Sequence, residues 1–157
     1  MFRLVVRTHI KAPPHLCFDL ARDVSVHCQT AAFTGERAVA PGRTSGLLEL
    51  GDLVTFEAVH LGVRQRLTAK IVEFDRPLRF VDEQVTGVFN WLRHVHTFAA
   101  QGSGTLMTDV LEWQSPFGFL GTIADRLFVG RHMKKFVTRK QEELKEIAEA
   151  PHASAAP

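Results

Sequence analysis

The sequence has only two cysteines, which argues against a fold held together by disulfide bonds. Cys17 and Cys28 lie close together on what we expect to be short helices, where they are typical of small apolar fillers rather than of a redox pair. The N-terminus lacks the basic start and the continuous apolar run of a signal peptide. We therefore expect a reduced, cytoplasmic protein.

Long apolar runs and dense basic stripes are also missing. No run approaches the ~20 residues needed to cross a bilayer, so we expect no stable membrane insertion. The 19 lysines and arginines are spread along the chain and leave a net charge of only +2, which argues against nucleic acid as a partner. A G-x-S-x-G nucleophile elbow and the glycine spacing of a phosphate-binding loop are absent as well, so nucleophilic catalysis has no support.

What the sequence does contain is enough apolar material for one domain. The apolar fraction is 45% over 157 residues, and chains of this length usually fold around a single hydrophobic core. We predict one domain over residues 1–149. Residues 150–157 are rich in alanine and contain proline, so we expect them to form a disordered tail.

Alternation of apolar and polar residues predicts strands over most of the first two thirds of the chain. Residues 1–10 alternate cleanly, and two short helices are expected next, the first burying Leu16, Cys17 and Leu20 and the second capped by Asp23 or Ser25. Further strands are predicted at 36–40, at 47–50 together with 53–60, and at 63–74, 78–86, 91–100 and 105–114. Short turns join them, so they should form a six-stranded antiparallel meander.

A long helix is predicted over residues 120–149, which contain no proline and end in good helix formers. Its first part carries apolar residues on one face, among them Leu120, Leu127 and Phe128, whereas its later part carries them on a nearly opposite face. The apolar stripe changes sides near Gly130. Because a straight helix cannot bury both faces under one sheet, we predict a bend or break there, or a second burial surface.

The order of these elements is strand, two short helices, meander and long final helix, and the final helix is the long amphipathic element available to cover an apolar sheet face. Local sequence features accompany this order at residues 10–14 (IKAPP), 18–23 (FDLARD), 80–84 (FVDEQ) and 115–118 (SPFG), and at Trp91, His94, His96 and Phe98. Together they resemble the START-like or polyketide-cyclase-like superfamily of helix-grip proteins. The resemblance implies an α+β fold in which a curved antiparallel sheet of about seven strands wraps around the C-terminal helix.

The resemblance also implies a pocket between the concave face of the sheet and the final helix. Members of the superfamily use this pocket for lipids, hormones, polyketides and other apolar molecules. Some of them are cyclases or dehydratases, and many only bind or carry a ligand. No shared catalytic motif comes with the resemblance, so the activity has to be argued from individual residues.

His94 and His96 are two residues apart on a predicted strand, so both side chains leave the same face as Leu92 and Phe98. Because Leu92 and Phe98 favour burial, this face should point inward. We favour imidazoles that are hydrogen-bonded to neighbours, and contact with a ligand is the second interpretation. A zinc site is the third, with Glu112 or His60 as a further ligand. No metal-binding signature supports it, and we expect no metal and no cofactor.

Carboxylates are expected on the same inward surface. Asp82 and Gln84 share a face with Phe80, and Asp109 lies on an apolar strand face. An inward carboxylate in an apolar cavity would have a raised pKa and could act as a general acid or base beside one of the two histidines. Arg93 could equally neutralise such a carboxylate in an ion pair at the sheet surface. The candidates for this chemistry are His94, His96, Asp82 and Glu112.

We favour a binder or carrier of a small hydrophobic molecule that performs no catalysis. Its ligand-binding residues would be polar anchors and apolar lining from the sheet and the final helix, namely Gln65, Leu67, Phe80, Gln84, His94, His96, Phe98, Leu120, Leu127 and Phe128. The alternative is an acid–base enzyme of the cyclase or dehydratase type. A third hypothesis is an interaction module with an exposed apolar groove, which leaves a homodimer open.

Overall fold

The computed structural model describes residues 1–151 and shows an α+β fold built on one curved sheet. The strands are β1 (Phe2–Ile10), β2 (Arg37–Val39), β3 (Leu53–His60), β4 (Val63–Asp75), β5 (Arg79–Thr86), β6 (Trp91–Gln101) and β7 (Gly104–Gln114). The helices are α1 (Pro14–Ala21), α2 (Val24–Thr30), α3 (Gly118–Ala124) and α4 (Gly130–Glu149). A 3₁₀ turn follows α2 at Ala32–Thr34, and a π-helical turn joins α3 to α4 at Asp125–Val129.

The seven strands pair antiparallel in the order β1-β7-β6-β5-β4-β3-β2. Strands β2 to β7 are neighbours in chain order, so the predicted meander is confirmed, and β1 joins it by pairing with β7. Register shifts in β4 between Thr68 and Ala69 and between Ile71 and Glu73 interrupt the regular ladder with β5. Such irregularities bend a strand and increase its twist, which curves the sheet around the interior.

The strand predicted at residues 47–50 is wrong. This segment is a loop between Gly46 and Gly51, whose φ angles of 80° and 86° favour glycine. Its backbone bonds to the junction of α1 and α2. The amide of Leu48 donates to the carbonyl of Arg22 at 3.0 Å, and the amide of Val24 donates to the carbonyl of Gly46 at 3.0 Å. The segment is therefore held by the helices. Within it, only one isolated β-bridge forms, between Leu47 and Asp23.

The two short helices are confirmed with small changes of boundary. Asp23 caps α2, because its carboxylate accepts hydrogen bonds from the amides of Ser25 at 2.8 Å and Val26 at 3.2 Å. Cys17 is buried in α1 and Cys28 is half-buried in α2, and both are free thiols. Burial raises the pKa of both thiols, which disfavours the reactive thiolate.

Phe18 is the residue of α1 that anchors the helix to the sheet, and the sequence analysis did not single it out. Its side chain is fully buried, whereas Leu16 and Leu20 are only half-buried. The rings of Phe74, Phe80 and Phe98 surround it at centroid distances of 5.3, 5.3 and 5.4 Å with their planes steeply inclined. Edge-to-face packing of this kind adds to the stability gained from burying the rings.

The irregularity predicted near Gly130 takes the form of the π-helical turn at Asp125–Val129. A π turn holds more residues than an α-helical turn and therefore rotates the residues that follow it. The helix is therefore irregular at the point where the apolar stripe changes sides. Gly130 is required next to the turn, because a Cβ atom there would lie 2.6 Å from the ring of Phe2.

Among residues 1–151 no helix is both long and apolar enough to cross a membrane. Helix α4 ends at Glu149, in agreement with the last residue predicted for it. Most of the predicted tail at 150–157 lies outside the described residues, since the description ends at residue 151. The domain boundaries given above stay a prediction.

Candidate functional site

A cavity of about 380 Å³ lies between the sheet and α4. Strands β3 to β7 supply much of its wall, and apolar side chains such as Phe56, Ile71, Met107 and Leu111 face it. Helix α4 closes the opposite side with residues that include Val137. A volume of this size lies within the range of about 300–1,000 Å³ in which proteins bind small molecules.

Four ionisable side chains form a cluster in the sheet wall of this cavity. Asp82 lies on β5, His94 and His96 lie on β6, and Asp109 lies on β7. Asp82 is directly opposite His94, and His96 is directly opposite Asp109, so the register of the sheet brings all four side chains to one face. The inward face predicted for the two histidines is therefore confirmed.

His96 lies between the two carboxylates. Its Nε2 is 2.9 Å from Oδ2 of Asp82, and its Nδ1 is 2.8 Å from Oδ1 of Asp109. The Nε2 of His94 is 3.4 Å from the same oxygen of Asp109. The first contact is a hydrogen bond, whereas the two contacts with Asp109 lack hydrogen-bond alignment and are electrostatic.

Neighbouring side chains fix the orientation of the cluster. Oδ2 of Asp109 accepts a hydrogen bond from Nε2 of Gln141 on α4 at 2.8 Å, and Oε1 of Gln141 accepts one from the hydroxyl of Thr8 on β1 at 2.6 Å. The ring of Phe80 stacks on the imidazole of His96 at a centroid distance of 4.2 Å. The cluster is thus held from the sheet, from α4 and from an aromatic neighbour.

Ion pairing outweighs burial for three members of the cluster, namely His96, Asp82 and Asp109. Burial disfavours the imidazolium of His96, but the carboxylates of Asp109 and Asp82 raise the pKa of His96 to about 9. Burial also acts against the charged form of both carboxyl groups, yet the adjacent histidines lower the pKa of Asp109 and that of Asp82. The raised carboxyl pKa expected from the sequence is therefore wrong.

Burial and the neighbouring His96 lower the pKa of His94, so its imidazole is neutral near pH 7. The cluster then contains two carboxylates and one imidazolium. It carries one negative charge in excess, on side chains that are largely buried.

A second polar group faces the cavity from other elements. Nε2 of His27 on α2 is 2.8 Å from Oε1 of Glu36 and 2.7 Å from the amine of Lys140 on α4. Burial lowers the pKa of Lys140 and that of His27. Burial opposes ionisation of Glu36, but His27 and Lys140 outweigh it and lower the pKa of this carboxyl group. The sequence analysis missed this group, whose members come from three separate segments.

His60 does not join the cluster on β5 to β7. Its Nδ1 lies 3.0 Å from Nε2 of His132 on α4, and the two rings meet edge-on at another part of the cavity wall. The suggestion that His60 supplies a further ligand beside His94 and His96 is therefore wrong.

Glu112 and Arg93 are on the outer face of the sheet. Glu112 pairs with Arg3 at 3.2 Å, so it can be neither a metal ligand nor an acid–base group in the cavity. Arg93 pairs with Glu83 at 3.2 Å and also with Glu73. It therefore neutralises outward carboxylates and leaves the inward ones to the histidines. Period-two alternation along β6 and β7 explains both positions.

The structure brings part of the predicted ligand-binding set to the cavity. Five of the predicted residues line it, and whether a ligand contacts them stays a prediction: Gln65, Leu67, Phe80, His94 and His96. Two others do not line it. The amide of Gln84 donates to the carbonyl of Phe89 at 2.6 Å, and Phe98 is buried against Phe18 in the core.

Leu120, Leu127 and Phe128 are exposed by 70%, 50% and 64%, so their predicted place in the lining is wrong. The reason is the orientation of the helix, which Asp125 fixes. Its buried carboxylate accepts hydrogen bonds from the indole nitrogen of Trp113 at 2.9 Å and from the hydroxyl of Ser115 at 2.6 Å. This inward turn of Asp125 places the large apolar side chains of the segment on the outside.

No protein-family model matches the sequence, and no curated protein matches it. Solved structures do. TTHA0849 from Thermus thermophilus has a TM-score of 0.75 at 21% identity, with 92% of this chain and 95% of that chain covered. Ginseng major latex-like protein 151 from Panax ginseng has a TM-score of 0.71 at 12% identity, with 94% and 97% covered. Protein Ms6760 from Mycobacterium smegmatis has a TM-score of 0.71 at 17% identity, with 96% and 92% covered.

These similarities cover nearly the whole of each chain and confirm the predicted fold, in which a curved antiparallel sheet wraps around a long C-terminal helix. At such low identity they show the fold alone.

Proposed function

We propose that the protein binds a small, largely apolar molecule in the cavity between the sheet and α4. The observation that carries this proposal is a cavity of about 380 Å³ whose wall is mainly apolar and whose few polar groups are gathered into clusters. Sites for small molecules combine an apolar lining with a small number of polar groups that fix the orientation of the ligand. Asp82, His94, His96 and Asp109 are placed to hold the polar end of such a ligand.

The proposal predicts that filling the cavity abolishes ligand binding. Ala69 on β4 is 3% exposed and lines the cavity, so Ala69→Phe would place a ring in the space that a ligand would occupy. 2-Naphthol, which joins an apolar ring system to one hydroxyl group, is a suitable probe. At about 100 times its Kd it should raise the Tm of the wild-type protein by roughly 5–10 °C and leave that of Ala69→Phe almost unchanged.

The matched control is Ala99→Phe, because Ala99 is exposed on β6. This variant should keep the wild-type shift in Tm. An equal shift in all three proteins would show that 2-naphthol binds outside the cavity and would count against the proposal. Mass spectrometry of material released by mild denaturation would complement the assay, since a bound apolar compound should co-purify with the wild-type protein and with Ala99→Phe but not with Ala69→Phe.

The acid–base enzyme stays a prediction. It requires a histidine within about 3.2 Å of a carboxylate in the cavity, and the 2.9 Å contact between His96 and Asp82 meets this requirement. If an identified substrate were turned over equally well after replacement of both His94 and His96, the acid–base hypothesis would be abandoned.

The interaction module also stays a prediction. Its surface would be the exposed apolar face formed by α3, the π turn and the residue before α3, where Phe117 and Phe119 are exposed by 82% and 78%. A homodimer through this face should bury more than about 1,000 Å². Sedimentation that shows a strict monomer would argue against it.

A further inference from the structure

The donor atoms of Asp82, His94 and His96 are gathered closely enough to hold a metal ion. One ligand atom from each side chain lies within 4.8 Å of the other two. Within residues 1–151 no other group of three histidine, cysteine or acidic side chains has its ligand atoms this close together. Two imidazole nitrogens and one carboxylate oxygen form a donor set that proteins use for Zn²⁺ and for non-haem Fe²⁺.

The distances require only a small adjustment. Ligand atoms at about 2.0–2.2 Å from one ion lie about 3–3.5 Å from each other. Oδ2 of Asp82 and Nε2 of His96 are already 2.9 Å apart, so an ion could replace the proton that they share. His94 is two residues from His96 on the same face of β6, and its ring centroid is 3.8 Å from that of His96. A modest rotation of the His94 side chain would bring its nitrogen to the ion.

His96 has the supporting contacts of a metal-bound histidine. Its second nitrogen, Nδ1, lies 2.8 Å from Asp109, whose other oxygen accepts a hydrogen bond from Gln141. Metal-binding histidines characteristically present the ring nitrogen that does not bind the ion to a carboxylate, which fixes the ring and strengthens its basicity. Gln141 in turn accepts from Thr8, so the support extends across α4 to β1.

Three atoms of the cluster also lack hydrogen-bond partners. The Nε2 of His94, the Nδ1 of His96 and Oδ1 of Asp109 are buried without one, and the side chain of Asp109 is only 5% exposed. An unsatisfied buried polar group costs roughly 1–3 kcal/mol, so such groups point to a missing partner. Nδ1 of His96 and Oδ1 of Asp109 face each other, whereas the Nε2 of His94 is an electron-pair donor on a proposed ligand, and the carboxylates of the cluster favour a cation as its partner.

We propose that Asp82, His94 and His96 bind one divalent transition-metal ion of the Zn²⁺ or Fe²⁺ class in the cavity wall, with Asp109 holding His96 in position. Three protein ligands leave coordination positions open, and these face the cavity that the three residues line. The ion would thus contact the polar end of a bound molecule. This site differs from the one considered from the sequence, in which Glu112 or His60 completed the ligand set.

The full-length protein is first freed of metal with a chelator and is then titrated with Zn²⁺ or with Co²⁺. Calorimetry measures the binding of Zn²⁺, and visible absorption measures the binding of Co²⁺. We expect one ion per chain. Asp82→Asn and His94→Gln each remove a ligand with little change of volume and should weaken binding at least about 100-fold, whereas Asp109→Asn should weaken it about 10- to 100-fold. His15→Gln is the matched control, since His15 is exposed on α1, and it should bind as the wild-type protein does.

A second measurement does not depend on the variants being folded. Titration of the wild-type protein with Zn²⁺, followed by NMR of the imidazole rings, should shift the signals of His94 and His96 at one equivalent and leave His15 unchanged. The proposal is overturned if no stoichiometric site forms, if all four variants bind alike, or if the ring signals of His94 and His96 stay in place. No apolar molecule is used, so failure here would leave the proposed ligand binding intact.

Discussion

Replacing Asp109 with alanine is expected to lower the free energy of unfolding by roughly 3–5 kcal/mol. Asp109 is 3% exposed and lies in contact with His96 and His94, and it accepts a hydrogen bond from Gln141. Its removal leaves the buried imidazole of His96 next to Asp82 alone and leaves the amide of Gln141 with only its longer hydrogen bond, 3.4 Å, to the carbonyl of Val6. Chemical denaturation at pH 7 with a chelator present measures this cost without any contribution from a bound metal ion.

Glu112→Ala is the matched control for Asp109→Ala. Glu112 lies on the same strand but faces outward, where its ion pair is with an arginine that is 60% exposed. Exposed pairs contribute little, so this variant should change stability by no more than about 1 kcal/mol. Asp109→Asn retains an oxygen that can accept from Gln141 and should fall between the two. Equal losses for Asp109→Ala and Glu112→Ala would contradict the account of the buried cluster.

Phe18→Ala should be destabilising by about 3–5 kcal/mol, the usual range for removing a buried phenylalanine ring. The ring of Phe18 is fully buried and occupies the space between α1 and three phenylalanines of the sheet. Alanine would leave a cavity among Phe74, Phe80 and Phe98, because neighbouring strands and α1 hold these rings in place. Thermal and chemical denaturation should both report the loss.

The exposed Phe119 provides the comparison. Its side chain is 78% exposed on α3, so Phe119→Ala removes the same atoms from a place where they bury little surface. The change in the free energy of unfolding should stay within about 0.5 kcal/mol. Similar losses for Phe18→Ala and Phe119→Ala would mean that α1 is not packed against the sheet in the way described.

The sheet could be predicted because it follows from a local rule. Successive side chains of a strand alternate between faces, so the positions of Leu92, His94, His96 and Phe98 determine one another once one of them is known to be buried. The same rule explains why Asp82 and Asp109 point inward. It also excludes Glu112, which is two residues from the exposed Gln114 and one residue from the buried Leu111.

The polar group of His27, Glu36 and Lys140 could not be predicted by such a rule, because its members come together only when α2, the segment before β2 and α4 are packed. One sequence signal for the polar wall does exist on α4. Gln141 lies between Val137 and Leu144 in the apolar stripe, and all three are buried. A polar residue within an apolar helical stripe requires a buried partner, and here the partner is Asp109.

The orientation of α3 was predicted wrongly for a physical reason that apolar periodicity does not contain. The stripe of large side chains suggested that Leu120 and Leu127 are buried, yet the hydrogen bonds of Asp125 with Trp113 and Ser115 turn the opposite side inward. A buried carboxylate with two donors outweighs the apolar side chains here, which remain exposed.

The most direct test of ligand binding in the cavity is an NMR measurement of contacts between 2-naphthol and the methyl groups of the protein. The account predicts intermolecular nuclear Overhauser effects from the probe to methyl groups that line the cavity, such as those of Ile71, Met107 and Leu111, and none to Leu120 or Leu127. Contacts confined to the exposed methyl groups of Leu120 and Leu127, with the cavity methyl signals unchanged, would contradict it.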